Sequence, residues 1–502
     1  MNDVYYAEIC LKSILQLQQF DLKHSIIQAY LFCCIYLNFF MSQLSQYFAQ
    51  NQFCCLVEYL PSMQELLPVA TQLAGFPVCM TLSDRVRSDE DIAPLIAAQS
   101  YPQQIEKVLH YAGKGRDIHD FNLFLKQAKQ HGQQNLLLLT GDKLKQHHDG
   151  QGSHARTRYL ESVNAVIAAK QQGGFHIGVA LNPFKYSQAE KQAQYLKLHK
   201  KLQAGADYII TQLGFDLVAL KQAHEFLIEE NYTQKILACV MPLTLARAKF
   251  MLKHNVAGIV ITPHMLEVLA QEHDSDQTEN TYLRCALQIL ICQHIGYAGV
   301  HLSACHKADE QAILTGYIEQ YRHLDLKQCQ QLWDQLWQLK TGNELRPAAV
   351  EKSKLSNLHQ KVKYQFLDTI HSTMFNSSLV KGLGAYIFSA GFWNKALAAK
   401  LLLQAEYLSK HFIVGCESCG QCRLAETLYI CPETCPKGLA NGPCGGTHLD
   451  RCEFGDRECI HSVKARLAEE VDQIQVLKKQ LIPTVPIEIR GTSSWKNWYV
   501  KQ

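Results

Sequence analysis

The feature that most constrains the fold is an alternation of short apolar runs with segments of helical periodicity, from Cys54 to about Ile313. Each apolar run has the length of a buried strand, and helices are expected between the runs, among them Phe121–His131 and Ala189–Ala204 with its end at Gly205. Eight or nine such units favour an α/β fold of the (β/α)8 TIM barrel type over an open sheet. The strand candidates are FCCLVEYL, PVCMTL, KVLHYA, NLLLLTGD, FHIGVALNP, YIITQLGFD, ILACVMPL, GIVITP and AGVHLSAC.

Polar residues repeatedly follow these apolar runs. In a TIM barrel the carboxyl ends of the strands meet at one mouth, where catalytic groups are placed. Any single one of them is also the kind of residue that caps a loop, so the repetition carries the prediction of an active site. The residues concerned are Glu58, Thr81, Asp84, Gly141, Asp142, Asn182, Gln212, Asp216 and His301.

A second feature is a group of cysteines near the end of the chain. Eight of the 19 cysteines lie between Cys416 and Cys459, beginning with a C-x2-C-x2-C run. Short loops between thiolates suit either a tetrahedral zinc ion or a [4Fe–4S] cluster, and the spacing does not decide between them. The predicted metal ligands are Cys416, Cys419, Cys422, Cys431, Cys435, Cys444, Cys452 and Cys459.

Composition limits the range of functions. The chain has 502 residues, 47% of them hydrophobic, and a net charge of +3, so nothing points to nucleic acid as a partner. Cysteines spread through the body of the chain fit a reducing compartment, which predicts the cytoplasm. The apolar stretch Ala29–Met41 is shorter than the roughly 20 residues of a membrane-spanning helix, so no membrane span is expected.

Five regions are predicted along the chain. Residues 1–50 are an N-terminal extension, of which 1–40 fit the rest of the chain poorly and can reflect an upstream start site. Residues 51–315 form the barrel, 316–412 a helical connector, 413–470 the cysteine-rich module and 471–502 a tail. Trp333 and Trp337 lie four apart on one helix face, which favours packing over a cofactor site.

Several segments of the predicted barrel together resemble one enzyme family. LVEYLP, LLLLTGD, GVALNP, AGADYIITQLGFD, VMPLT and GIVITPHMLEVL look like landmarks of the methylenetetrahydrofolate reductase barrel, over about residues 54–310. The cysteine-rich stretch with CPKGLANGPCGG resembles the C-terminal domain that is fused to, or partnered with, bacterial members of that family.

The resemblance implies a flavin-dependent oxidoreductase of one-carbon metabolism, connected to methionine biosynthesis. It would interconvert 5,10-methylenetetrahydrofolate and 5-methyltetrahydrofolate with FAD or FMN. By motif position Glu58 would be the general acid, with a pKa raised by a crowded, stacked site. Asp142 would stabilise a cationic iminium and bind substrate, and Gln212 would bind the pterin edge.

The resemblance also implies flavin contacts. Thr81, Gly141, Asn182, Lys201 and Arg158 are the predicted cofactor-binding residues. The chain departs from the family at Asn182-Pro183-Phe184-Lys185-Tyr186, where the reductases commonly carry Tyr-Pro followed by a His. This departure puts the mode of flavin binding in question.

Two other functions remain open at this stage. One is a folate-dependent methyl-transfer enzyme without flavin, and the other is a non-catalytic electron-transfer or scaffold subunit. The electron donor is expected to be a nicotinamide cofactor or a protein, although no G-x-G-x-x-G fingerprint opens a strand–helix unit. A tetrahydrofolate carrier is the expected partner, and a homo-oligomer is one possible assembly.

Overall fold

The computed structural model describes residues 42–60, 69–85, 91–143, 159–347, 355–374 and 377–500. The strands, numbered in chain order, are β1 Cys54–Tyr59, β2 Gln72–Leu73, β3 Phe76–Leu82, β4 Lys107–Ala112, β5 Asn135–Leu139, β6 His176–Leu181, β7 Tyr208–Thr211, β8 Lys235–Val240 and β9 Gly299–Leu302.

The α-helices of these residues fall into a barrel group and a C-terminal group. The first comprises α1 Gln43–Ala49, α2 Pro94–Ser100, α3 Ile118–Gln130, α4 Ser162–Gln172, α5 Gln188–Gln203, α6 Leu217–Glu229, α7 Leu245–Lys253, α8 Pro263–Asp274, α9 Asn280–Ile295, α10 Ala308–Tyr321 and α11 Leu326–Leu336. The second comprises α12 Leu355–Met374, α13 Ser378–Ser389, α14 Ala396–Val414, α15 Ile460–Glu470, α16 Ile474–Lys479 and α17 Ser494–Val500.

A closed parallel barrel organises the larger part of the chain. β1 pairs with β3 on one side and β9 on the other, and β3 to β9 pair in sequence, so the eight longer strands of the sheet form a ring. The short β2 runs antiparallel to β3 outside that ring. The predicted (β/α)8 barrel is confirmed.

One strand prediction is wrong. GIVITP contains no strand in the structure and instead forms the end of the loop between α7 and α8, with its proline as the first residue of α8. Gly258 at its start has a φ of +77°, a left-handed value that interrupts an extended run. A short apolar run has the same appearance whether it becomes a strand or a packed loop.

Helices at both ends of the barrel segment pack on the barrel. α1 closes the amino-terminal end, where Phe48 packs on His176 and Tyr208 at the start of β6 and β7. The boundary at residue 315 falls inside α10, and Trp333 and Trp337 are buried in the barrel core. Packing of this tryptophan pair is therefore confirmed, whereas residues 1–40 lie outside the described part of the chain.

The cysteine-rich module follows α14 and lies between the barrel and the C-terminal segment. Its backbone contains short 3-10 turns at Ala425–Thr427 and Pro432–Thr434. α15 begins directly after the last cysteine and packs on α5 of the barrel. No helix in the described ranges is long and apolar enough to cross a membrane, and Ala29–Met41 lies outside them.

Candidate active site

Glu58 lies at the carboxyl end of β1 with its side chain half-buried. Two serine hydroxyls donate to its carboxylate. Ser83, just after β3, donates to Oε1, and Ser303, just after β9, donates to Oε2 at 2.6 Å. Because β3 and β9 flank β1 in the ring, both carboxylate oxygens are held at the barrel mouth.

A layer of polar side chains lies beside Glu58 in the barrel interior. His301 Nε2 is 3.1 Å from Thr81 Oγ1, and His301 Nδ1 is 3.5 Å from Cys239 Sγ. The His110 ring lies with its centroid 5.7 Å from that of His301. Among the described groups, His110 Nε2 is a buried atom without a hydrogen-bond partner. The interior therefore retains unsatisfied hydrogen-bonding capacity close to Glu58.

The pKa of Glu58 is lowered by the protein around it, whereas the predicted rise concerns a site covered by stacked rings and stays a prediction. Burial favours the protonated form, but the charge that His301 and His110 can carry and the bonds from Ser303 and Ser83 outweigh it, so the pKa lies below its ordinary value. Burial also lowers the pKa of His301, and that of His110 to about 3. Glu58 is therefore a carboxylate beside neutral imidazoles at neutral pH.

Asp142 follows β5 at the same mouth, next to the cysteine-rich module. Lys437 of the module donates to the Gly141 carbonyl at 2.7 Å and to Glu453 at 2.6 Å, and Glu453 accepts from the Lys143 backbone at 2.8 Å. The Asp142 side chain keeps contact with solvent. The protein around it and the charge of Glu453 nevertheless raise its pKa, against the opposing effect of Lys437. Module and barrel thus share the environment of this carboxyl.

Gln212 follows β7, and its amide is used within the barrel. Its Nε2 donates to the Ala257 carbonyl at 3.1 Å and its Oε1 accepts from the Leu213 backbone at 2.9 Å. Asp216 caps α6 and pairs with Arg346 at 2.8 Å. These contacts give Asp216 the role of fixing the following loop. Gln212 would have to exchange local bonds to reach a ligand.

Asn182 and Lys185, after β6, contact the module. Asn182 Nδ2 donates to the Gly258 carbonyl at 3.0 Å and to the Gly445 carbonyl at 2.8 Å. Lys185 Nζ donates to the Gly445 carbonyl at 2.9 Å and to the Thr447 carbonyl. The stretch that departs from the family pattern is therefore the stretch on which the module rests.

The lysines of α5 are buried at the same interface or behind it. Lys197 Nζ lies 3.0 Å from Glu161 and 3.1 Å from the Gly442 carbonyl. Lys201 Nζ donates to the Ala180 carbonyl, and burial, reinforced by the charge of Lys197, lowers its pKa to about 7. These contacts do not support the predicted cofactor role of Lys201.

Glu161 joins the two parts of the chain most directly. Its carboxylate accepts from the backbone of Ala440 at 3.1 Å, and from the Asn441 backbone and side-chain amides at 3.1 Å each. Burial alone would raise its pKa, but Lys197 and these hydrogen bonds lower it. Glu161 therefore remains charged inside the protein as an interface residue.

The structure brings together only part of the predicted site. Glu58 and Thr81 share the barrel interior, and Gly141 and Asp142 lie at the mouth beside the module. Asn182 and Gln212 both hold the loop at Ala257 and Gly258. Lys201 lies apart from them, and Arg158 lies outside the described residues.

Sequence reasoning did not assign roles to His110, Ser303, Lys437 and Glu453. The signal for His110 was a polar residue in the middle of the apolar run KVLHYA, which marks an inward-facing position of a barrel strand. Lys437 and Glu453 each stand beside cysteines, in CPKGL and RCEFG, and no local pattern indicates that they pair with each other.

Every described cysteine is a free thiol, and those of the module fall into two sets. Cys416, Cys419, Cys422 and Cys431 line one cavity. The second set consists of Cys435, Cys444, Cys452 and Cys459, which lie within electrostatic range of one another. Within the described ranges, no group of three or more His, Cys, Asp or Glu side chains is placed to hold a single metal ion.

Comparison with known proteins follows the same division of the chain. The sequence model of methylenetetrahydrofolate reductase matches residues 63–315, half of the chain. The model described as methylene-tetrahydrofolate reductase C terminal matches residues 396–487. No curated protein matches the chain.

One similar solved structure is an uncharacterized protein from Clostridium thermocellum described as binding two copies of 5-methyl-5,6,7,8-tetrahydrofolic acid. It is 13% identical with a TM-score of 0.39, and the match covers 56% of this chain and 99% of the other. Similarity at this level supports no inference about this chain.

Proposed function

The chain belongs to the methylenetetrahydrofolate reductase family, and from this we propose that it is an oxidoreductase that interconverts 5,10-methylenetetrahydrofolate and 5-methyltetrahydrofolate. The observation that carries the proposal is Glu58, a half-buried carboxyl held by Ser83 and Ser303 at the barrel mouth. An ionisable group at the end of a barrel strand, open on one side, has the placement of a catalytic acid or base.

Glu58 performs the proton transfer in this proposal. In the direction of reduction, its proton goes to the folate nitrogen that leaves the methylene carbon. The bond between that carbon and the leaving nitrogen breaks, and an iminium remains on the other nitrogen. Addition of a hydride to the iminium carbon then gives the methyl group. The step consumes one proton and one hydride, so atoms and charge balance.

The two serines account for how Glu58 takes up and releases its proton. Against burial, which favours the acid, His301 and His110 lower the pKa of Glu58, and the two hydroxyls add to this by stabilising the carboxylate. A folate ring that covers the mouth removes water from Glu58, and loss of solvation favours the neutral acid. Substrate binding therefore shifts this group toward the protonated state in which it can act.

Asp142 and Gln212 supply charge and hydrogen bonds in the proposal. Asp142 lies at the mouth, so an ionised carboxylate there would stabilise a cationic iminium. Burial and the charge of Glu453 raise the pKa of Asp142. Because Glu453 belongs to the module, the module influences whether Asp142 is ionised or protonated. Gln212 binds the pterin edge after giving up its bond to Ala257.

A bound flavin, reduced by a nicotinamide or a protein donor, would supply the hydride. The ring end of such a cofactor fits the site, because His110 presents a buried nitrogen that has no protein partner among the described residues. The phosphate end does not fit the predicted residues. Asn182 and Lys201 already donate to protein carbonyls, and Thr81 bonds to Val57 and His301.

The test is Glu58→Gln, with both half-reactions measured separately. We expect turnover of the folate to fall by about 10²- to 10⁴-fold, the usual contribution of a general acid, while reduction of bound flavin by its donor is unchanged. Equal loss in both half-reactions would give Glu58 a structural role. The matched control is Glu225→Gln, a partly exposed glutamate on α6 that pairs with Lys221 on the protein surface.

A second candidate function is a folate methyl-transfer enzyme without flavin. It is favoured because Asn182, Lys185 and Lys201 donate to protein carbonyls and are not free to bind a flavin. That enzyme would be purified colourless in the flavin region of the spectrum and would need no hydride donor. Free thiols at every described cysteine fit either reaction in the cytoplasm.

A further inference from the structure

Large apolar side chains are exposed mainly on the helices that precede the cysteine-rich module. Among the described residues, more than half of the exposed large hydrophobic side chains lie between Leu358 and Ile413, on α12 to α14 and the turn after α13. The barrel segment is far longer but contributes fewer, Leu123 and Val218 among them. A soluble monomer rarely exposes a contiguous apolar patch of more than a few hundred Å². These helices therefore carry a surface suited to an interaction.

On α14 the exposed apolar side chains form one stripe. Leu397, Leu401, Leu408 and Phe412 follow one another at intervals of four, seven and four residues, which places them on one face of the helix. All four are more than half exposed, from 57% at Leu401 to 83% at Phe412. The stripe extends over about 22 Å of helix.

α17 supports α13 and α14 from another side. On α14, Glu406 accepts from Ser494, and Lys410 donates to Ser494 at 3.1 Å. On α13, the ring of Phe388 stacks on that of Tyr499, with the centroids 5.4 Å apart. Both helices are thus fixed by α17, and their exposed apolar side chains lie on faces that α17 does not cover.

The spacing of the stripe is the same when it is read in either direction. In an antiparallel pair of α14 helices related by a two-fold axis beside residues 404–405, Leu401 of one copy faces Leu408 of the other. Leu397 then faces Phe412 of the other copy. An interface between identical subunits across a two-fold axis requires this self-complementarity. We propose that the stripe joins two copies of this chain through antiparallel α14 helices.

The remaining side chains of α14 are compatible with this pairing. Ala405, next to the axis, is small enough for two helices to approach closely. The exposed Lys400 lies level with Ser409 of the second copy, and no lysine of the second copy occupies that level. The lysines of the two copies therefore do not oppose association.

The exposed apolar area is sufficient for a dimer. α13 and the turn after it add further side chains that are more than half exposed, namely Leu379, Leu383, Tyr386 and Phe392. At about 150–250 Å² for each fully exposed aromatic side chain and somewhat less for each leucine, these residues and the stripe offer on the order of 1,000 Å² per chain. A specific interface buries about 800 Å² on each partner.

The experiment is sedimentation equilibrium of the full chain, which we expect to be a dimer. Leu401→Glu should raise the dissociation constant of the dimer by about 100-fold or more, because each dimer loses two buried leucines and gains two buried, unpaired charges. Leu123→Glu is the matched control, at a leucine of α3 that is also 57% exposed, and it should remain dimeric.

A mixture of two variants tests the antiparallel register. Leu401→Glu and Leu408→Lys should each be monomeric at concentrations where wild type is a dimer. When they are mixed, the introduced glutamate of one chain faces the introduced lysine of the other, and one pair of Leu401 with Leu408 remains. Dimers should then form again. A parallel pair of helices would not place the two charges together, so a mixture that stays monomeric would overturn the antiparallel arrangement.

Two further results would overturn the proposal, namely a monomeric wild-type chain or a Leu401→Glu variant that stays dimeric. If the monomeric wild type floated with phosphatidylserine vesicles, an anionic membrane surface would be the occupant of the stripe. If it did not float, the occupant would be residues 1–41 of the same chain, which lie outside the described residues. Association is measured without folate turnover, so failure here leaves the proposed function untouched.

Discussion

Two regions of this molecule bury charge in opposite ways. At the barrel mouth, Glu58 is held by two hydroxyls and remains half-exposed. At the interface between barrel and module, Glu161 is almost fully buried and accepts from Lys197, Ala440 and Asn441. Glu58 can exchange its hydrogen-bond partners for a ligand. Glu161 has its carboxylate oxygens fully engaged by hydrogen bonds and an ion pair within the protein.

This difference separates residues for chemistry from residues for assembly. A half-solvated acid can change its protonation state at modest cost, because water and hydroxyls accommodate either form. A fully buried, paired charge stabilises only one arrangement, and removal of one partner leaves the other uncompensated. We therefore expect changes at the interface to act on stability and changes around Glu58 to act on pH dependence.

The largest effect is expected for Glu161→Gln. Loss of the carboxylate leaves Lys197 buried without its counter-charge, which typically costs about 3–5 kcal/mol. Chemical denaturation should show this loss, with Glu225→Gln within about 0.5 kcal/mol of wild type, as expected for a solvated surface pair. If Glu161→Gln were as stable as wild type, the interface carboxylate would not stabilise the fold, and the proposed difference between it and Glu58 would be wrong.

A smaller effect, on activity, is expected for Ser303→Ala. A hydrogen bond to a charged group contributes about 1.5–3 kcal/mol, so loss of the Ser303 bond should raise the pKa of Glu58 by about one to two units. The pH profile of folate turnover should then extend to higher pH, because Glu58 must be protonated to act. Ser275→Ala, on an exposed turn, is the control. Lower activity with an unchanged profile would contradict a role for Ser303 through Glu58.

Gly258→Ala tests the interface from the barrel side. A Cβ there would lie 2.4 Å from the Gly445 carbonyl oxygen, and the φ of +77° disfavours any side chain. We expect a loss of about 1–3 kcal/mol in the free energy of unfolding. Gly132→Ala, with φ of +67° and no atom near its Cβ, controls for backbone strain alone. Equal losses of unfolding free energy in the two variants would show that the contact with Gly445 does not contribute to the effect at Gly258.

The smallest effect is a pH dependence that Lys464 gives to stability. Its Nζ donates to the Ala440 carbonyl, and burial, with the charge of Lys200, lowers its pKa to about 7. Between that value and the ordinary value near 10.4, the unfolded chain binds more protons, so stability rises with pH.

The measurement compares Lys464→Met with wild type at pH 6.5 and pH 8.0. Lys464 should contribute about 1 kcal/mol to the increase in wild-type stability over this interval. The stability of Lys464→Met should therefore increase by about 1 kcal/mol less than that of wild type between these two pH values. A variant with the same increase as wild type would mean that Lys464 keeps its charge in the folded chain.

The sequence allowed the barrel and Glu58 to be predicted because their signals are local. Each strand carries its own apolar run, and a polar residue at the end of a run reaches the mouth wherever the barrel closes. Gly258 shows the limit of this reasoning. Its segment has the composition of a strand, but Asn182, Gln212 and the module hold it as a loop.

The docking of the module could not be predicted in this way. Lys185 donates to backbone carbonyls about 260 positions later in the chain. Every residue has a backbone carbonyl, so the sequence does not indicate which one a lysine will bind. The same holds for Lys437 and the Gly141 carbonyl. Lys201, which the resemblance assigned to the cofactor, likewise donates to a backbone carbonyl, that of Ala180 in the barrel.

The most direct test of the central claim is an absorbance spectrum of the anaerobically purified full chain before and after addition of 5-methyltetrahydrofolate. We predict flavin bands that bleach when the folate is added, because hydride passes from the methyl group to the oxidised cofactor. The absence of flavin bands, or bands that do not respond to the folate, would contradict the oxidoreductase and favour methyl transfer without flavin.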